Sequence, residues 1–149
     1  MMPLREQIQE DLKNAMRARD SERLVTIRML MAAIKQREVD ERQEMTDADI
    51  LGIVDKLIKQ RKDSAQQFRD GGRPDLADKE EREIEILQVF LPAPLTPEEI
   101  DGAIRAAIAE TGAAGPKDMG KVLTLLRPQM QGRADMAQVA DRVKALLTP

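Results

Sequence analysis

The chain has 149 residues, 42% of them hydrophobic and 34% charged, with 24 basic against 27 acidic side chains and a net charge of −3. That is enough apolar material for a core and too much for a disordered chain. Neither Cys nor His occurs, which excludes thiol catalysis, disulfides, a Cys/His zinc site and a histidine base.

Two Phe are the sole aromatics, so the core must be Leu, Ile, Val, Met and Ala, a set that suits interlocking helices more than sheets. No apolar run approaches the ~20 residues of a membrane span. The opening MMPLREQIQEDLK turns charged at once and does not read as a signal peptide. The expectation is a cytoplasmic protein with no membrane contact.

In chain order, Leu4, Ile8, Leu12, Ala15 and Met16 share one face of a first helix, with Pro3 at its start. Asp20 or Ser21 caps a second, whose stripe is Leu24, Ile27, Leu30, Met31 and Ile34, and the charged run Arg37 to Glu44 extends or frays it. Thr46 caps a third, with Asp49 completing a capping-box variant. Its stripe runs Ile50, Val54, Leu57, Ile58, Ala65, Phe68, and Gly71-Gly72 stops it. Pro74 starts a fourth helix, with Leu76, Ile84, Leu87 and Leu91 inward, ending before Pro92.

Leu91-Pro92-Ala93-Pro94-Leu95 is the one proline-rich interruption, and proline stiffens both itself and the residue before it. We therefore place a domain of long helices at 1–91, a connector at 92–95 and a compact three-helix domain at 96–149. Thr96-Pro97-Glu98-Glu99 opens the fifth helix with an N-cap, a first-turn proline and a capping-box Glu. Its stripe is Ile100, Ala103, Ile104, Ala107 and Ile108, and Gly112 stops it. The sixth runs from Pro116 to about Leu126, because Pro128 pushes Arg127 out of helical geometry. Asp135 with Gln138 starts the seventh, whose stripe is Met136, Val139, Val143, Leu146 and Leu147. The fold class is all-α.

Catalytic candidates are few. No phosphate-binding glycine motif is present, and Gly71-Gly72 follows a helix instead of a strand. The acidic run Glu80, Glu81, Glu83, Glu85 reads as a solvated helix face, and Asp47 and Asp49 as first-turn acids favoured by the helix dipole. We assign no catalytic residue, no metal ligand and no cofactor. Two charges interrupt apolar stripes: Arg61 lies between Leu57 and Ala65 in the third helix, and Glu80 between Leu76 and Ile84 in the fourth. Buried charges need partners, so Arg61 and Glu80 are expected to pair and fix the register of the two helices.

The basic residues are unevenly placed. Residues 1–95 hold 17 basic and 20 acidic side chains, whereas residues 113–149 hold six and three. Lys117 and Lys121 are four apart and share a face, and Gly120 beside them lets another backbone approach. Lys117 at a helix N-terminus opposes the dipole, a small cost that an anion would relieve. The plainer account is a small helical domain with a tight helix crossing at Gly120. Arg127 and Arg133 follow in predicted loops.

Five stretches, in this order, resemble the YqeY-like family, also called GatB/YqeY: LREQIQEDLKNAMRARDSERLVTIRMLMAAI (4–34), KQRKDSAQQF (59–68), GRPDLADKEEREIEILQVFLP (72–92), DMGKVL (118–123) and GRAD (132–135). The resemblance covers nearly the whole chain. It implies an all-helical, two-domain protein whose C-terminal domain is similar to the tail of the B subunit of the glutamine-dependent Glu-tRNA/Asp-tRNA amidotransferase, which helps hold tRNA. It also implies the family label of a carbon–nitrogen ligase with glutamine as amido-N-donor. The residues carry no such chemistry: Ser21 and Ser64 sit within predicted helices and lack an activating base. The expectation is a non-catalytic module that binds tRNA or a tRNA-handling enzyme. Lys117, Lys121, Arg127 and Arg133 would contact phosphates, and Gly120 would lie at a close approach to a neighbour or to RNA backbone. The alternatives are an accessory component of an amidotransferase, and a helical scaffold that binds proteins through the apolar faces of its long helices.

Overall fold

A computed structural model describes residues 2–130 and 132–148. It contains seven α-helices and no strand among the described residues: α1 (Leu4–Arg17), α2 (Ser21–Glu41), α3 (Asp47–Asp70), α4 (Pro74–Gln88), α5 (Pro97–Thr111), α6 (Met119–Met130) and α7 (Met136–Leu147), with a 3₁₀ turn at Pro116–Asp118. The chain divides into two compact units, one ending at Leu91 and the other beginning at Pro92.

The helix ends follow from local chemistry. The Thr46 hydroxyl accepts from the Asp49 N–H at 3.2 Å while the Thr46 N–H donates to the Asp49 carboxylate at 3.0 Å, so both partners of a capping box are engaged. Thr96 and Glu99 repeat the arrangement at α5, both contacts being 3.1 Å. α5 closes on Gly112 at φ 69°, the left-handed geometry that glycine enters without a Cβ penalty. α2 closes on Arg42 at φ 53°, an unusual conformation for a residue with a side chain.

In the N-terminal unit, Ile8, Ile27, Leu30, Ile50, Val54 and Leu87 are each 1% exposed or less and join α1 to α4 in one apolar cluster. In the C-terminal unit, Ile104, Val122, Leu126, Met130, Val139 and Val143 do the same for α5 to α7. A buried aliphatic side chain of this size contributes about 1.5–3 kcal/mol.

Four local expectations are corrected. Met16 stands 53% exposed, and Ala15 fills the core position on that turn of α1. α4 ends at Gln88, before Pro92 as expected, so Leu91 of its expected stripe lies in the turn beyond the helix, where it packs against the core beside Phe90, only 5% exposed. Arg127 is helical, because α6 continues through Pro128 to Met130. Val122, Leu126 and Met130 form one fully buried row. A proline inside a helix costs about 3 kcal/mol, because it lacks the N–H that would donate to the carbonyl four residues back, and burying Met130 offsets much of that cost. Finally, Arg61 pairs with Glu83 and not with Glu80: its Nε donates to Glu83 Oε2 at 3.0 Å. Its Nη1 donates to the Leu57 carbonyl of its own helix and its Nη2 reaches Met29 Sδ.

Candidate nucleic-acid interface

The cations singled out in the C-terminal domain lie on α6, the 3₁₀ turn before it and the turn after it. Pro116 starts the 3₁₀ turn, and the chain passes directly into α6 at Met119. Between Met119 and Ala134 the sequence has no acidic residue. The buried row Val122–Leu126–Met130 fixes which side of α6 faces inward. Lys117 and Lys121 are therefore both exposed on the outer side, the Lys121 side chain to 70%.

Asp118 lies between these lysines but is turned inward. Its side chain is 16% exposed, and its Oδ2 accepts from the Ala114 N–H at 3.0 Å. That backbone donor holds the carboxyl below the usual aspartate range against desolvation, and the nearby Lys121 and Lys117 charges add to the effect. Lys121 Nζ stands 3.8 Å from Asp118 Oδ1, a loose pair at an exposed site. The one local acid is thus spent on closing the loop, and the two ammonium groups remain outward.

Arg127 is exposed in the last turn of α6, where a cation suits the helix dipole. At 3.6 residues per turn it stands about 120° round the helix from Lys121, so the two share the outer half without sharing a stripe. Arg133 is tied within the domain through its Nε. Its Nε donates to the Ala93 carbonyl at 3.2 Å, and its own carbonyl accepts from the Leu95 N–H at 2.9 Å. It clamps the proline-rich segment onto the turn before α7. A partner 40 residues away gave the sequence no signal of this. Gly120 is exposed, and a Cβ built there meets nothing within 4 Å. It marks no tight helix crossing among the described residues, contrary to the plainer account of this glycine. Of the remaining cations, Arg142 is held by Asp101, Nε at 2.8 Å and Nη2 at 2.9 Å, joining α7 to α5. That pair, which the sequence analysis missed, holds the Asp101 carboxyl below its usual range.

Among the described residues, no group of three or more Asp, Glu, His or Cys is placed to hold a metal ion, and no helix is long and apolar enough to cross a membrane. What the site offers chemically is charge on a rigid helix: three exposed cations, no free carboxylate among them, and no aromatic surface on which a base would stack.

Several curated proteins are similar to this chain. A protein of Kluyveromyces lactis named "Altered inheritance of mitochondria protein 41, mitochondrial" is 34% identical over 142 residues, covering 93% of this chain and 72% of the relative. Its namesake in Pyrenophora tritici-repentis is 31% identical over 144 residues, covering 94% and 78%. The namesake in Vanderwaltozyma polyspora is 41% identical over 97 residues, covering 63% of this chain and 52% of the relative, so the match spans about half of that protein's length. The names of these relatives place them in mitochondria, which overturns the expectation of a cytoplasmic protein. A chain without cysteine is compatible with any redox environment, so composition carried no information on compartment. A family model described as "Yqey-like protein" matches residues 5–147, nearly end to end, and the chain belongs to the YqeY-like family.

Proposed function

We propose that the chain is a helical binding module for tRNA, or for an enzyme that handles tRNA, and that the outer face of α6 makes the contact. The observation that carries this reading is the pairing of outward Lys117 and Lys121 with an inward, hydrogen-bonded Asp118. Neighbouring lysines repel each other, and the usual relief is an interspersed acid. Here that acid is turned inward, its Oδ2 held by the Ala114 N–H and its Oδ1 only loosely paired with Lys121 at 3.8 Å, so a phosphate is the group that would complete the outer side of the site. Arg127 extends the cationic surface toward the end of the helix, and Arg133 acts indirectly by fixing the segment at Ala93.

With no aromatic residue in this unit, recognition would rest on RNA shape and phosphates, with little readout of base identity. The likeness to an amidotransferase tail that the family resemblance implies supports tRNA as the polyanion. In this reading the module supplies binding, and the carbon–nitrogen ligase chemistry attached to the family label belongs to the enzymes it accompanies.

The test is binding of the full chain to bulk tRNA across a salt series, with the Lys117→Glu/Lys121→Glu double variant beside it. Affinity that falls steeply with salt and is largely lost in the variant supports the proposal. Equal affinity of the two proteins at low salt rejects it.

A further inference from the structure

Helix α2 has two apolar faces. Ile27, Leu30 and Ile34 enter the core of the N-terminal unit. On the opposite side, about 180° round the helix, Val25, Ala32 and Val39 stand seven residues apart with Met29 beside them. Val25 and Val39 are each 63% exposed. Single exposed apolar residues are ordinary. Three in heptad register form a stripe about 21 Å long, the pattern with which one helix receives another.

The charges on this helix indicate what it receives. Glu22 pairs with Arg82, Arg23 with Asp11, Arg37 with Glu41 and Glu38 with Arg5, while Asp40 accepts from Gln36. Arg28 and Lys35 are the two α2 cations with no carboxylate partner among the described residues; Asp40, bonded only to the neutral Gln36, lies on the other flank of the stripe. Both are exposed, seven residues apart, and set along the same stripe. The N-terminal domain otherwise carries more acid than base, so two unmatched cations beside an apolar stripe stand out against it. Next to the stripe, between α1 and α2, opens a cleft of about 320 Å³ with Ile8, Met31 and Ile34 in its wall and the Arg5–Glu38 pair and Lys35 at its edge.

We propose that this α1–α2 face docks an amphipathic helix of a partner protein, one whose apolar stripe is flanked by carboxylates about a heptad apart, which would meet Arg28 and Lys35. A second copy of the chain fits poorly. An antiparallel pair crossing at Ala32 would bring Arg28 of one copy against Lys35 of the other. A nucleic acid would use the two cations and leave the valine stripe in water. The surface is independent of the cations on α6.

The experiment places a photo-crosslinking amino acid at Ala32, and separately at Val39, in the full chain in its host cell, and identifies the adducts by mass spectrometry. The expected adducts fall in an acidic amphipathic helix of another protein. Adducts to the chain's own peptides, adducts to RNA, or no adduct from either position overturn the proposal. The captured segment is then made as a synthetic peptide and titrated against purified protein. Arg28→Glu/Lys35→Glu is expected to weaken binding at least about tenfold, and a peptide with its flanking carboxylates changed to lysine to recover it. Unchanged affinity of the double variant overturns the charge argument. Val25→Asp, a change at an exposed site, is expected to weaken binding with an unaltered melting temperature.

Discussion

Arg61 of α3 and Glu83 of α4 meet at 3.0 Å, with 10% and 16% of their side chains exposed. The guanidinium also serves the Leu57 carbonyl and Met29 Sδ, so it ties α3 to both α4 and α2. Removing one partner of such a pair strands the other, which costs about 3–5 kcal/mol when fully buried and less at this partial exposure. Glu83→Gln is expected to destabilise by about 1–3 kcal/mol in urea denaturation, whereas Glu80→Gln shifts stability by less than about 0.5 kcal/mol. Equal effects of the two variants would contradict the observed pairing. An Arg61→Met/Glu83→Leu double variant is expected to recover most of the loss, because apolar replacement of both charges leaves neither unpaired.

Charge reversal at Lys117 and Lys121 tests the tRNA reading quantitatively. Each phosphate contact contributes roughly 0.7–0.9 to the slope of log affinity against log salt. The double variant is expected to lower that slope by about 1.4–1.8, with a melting temperature close to the parent's because both side chains are exposed.

Two glycines of the C-terminal domain are expected to respond with opposite sign. Gly112 lies at φ 69° with open space around it, so Gly112→Ala meets backbone strain alone and costs about 1 kcal/mol. Gly120 lies within α6, also with open space, and Gly120→Ala is expected to stabilise by about 0.5–1 kcal/mol. If Gly120 meets RNA closely, the same Gly120→Ala protein will be more stable yet bind tRNA more weakly. Unchanged tRNA affinity would remove Gly120 from the interface.

The pH dependence of stability follows from lowered carboxyl pKa values. The Met45 N–H and Arg5 hold Glu38 down, Arg142 holds Asp101 down, and the Ala114 N–H holds Asp118 down. A carboxyl with a lower pKa when folded contributes stability above its unfolded value, and that contribution is lost as pH falls through the folded value. The ordinary values are 4.5 for Glu and 3.8 for Asp, so the melting temperature is expected to fall as pH drops below about 4.5. Between about pH 5.5 and 7 the curve is expected to be flat, since the chain has no histidine to titrate. A thermal melt series over pH 3 to 8 checks both parts.

Sequence by itself determined what depends on near neighbours. The capping boxes at Thr46 and Thr96, the stop at Gly112 and the apolar periods of the helices are relations among residues a few positions apart, and they place seven helices with little ambiguity. The all-α class follows, because an aliphatic core without aromatics has few other ways to close. That Lys117 and Lys121 share a face was legible in the same way, from their spacing of four, but that this face is the outer one was decided by the packing of Val122, Leu126 and Met130. Tertiary structure alone decided what depends on distant partners. Packing of Met130 carries α6 through Pro128 against local preference. The reach of Arg61 selects Glu83 over Glu80, three residues and nearly one helical turn away. Arg133 is drawn to Ala93 through its Nε and Asp118 to the Ala114 N–H, which gives one of the expected phosphate-contacting cations a clamping bond as well and leaves two lysines outward. Local conformation is set by short-range sterics and hydrogen bonds, whereas the partner of a long charged side chain is set by which backbone the fold brings within its few ångströms of reach.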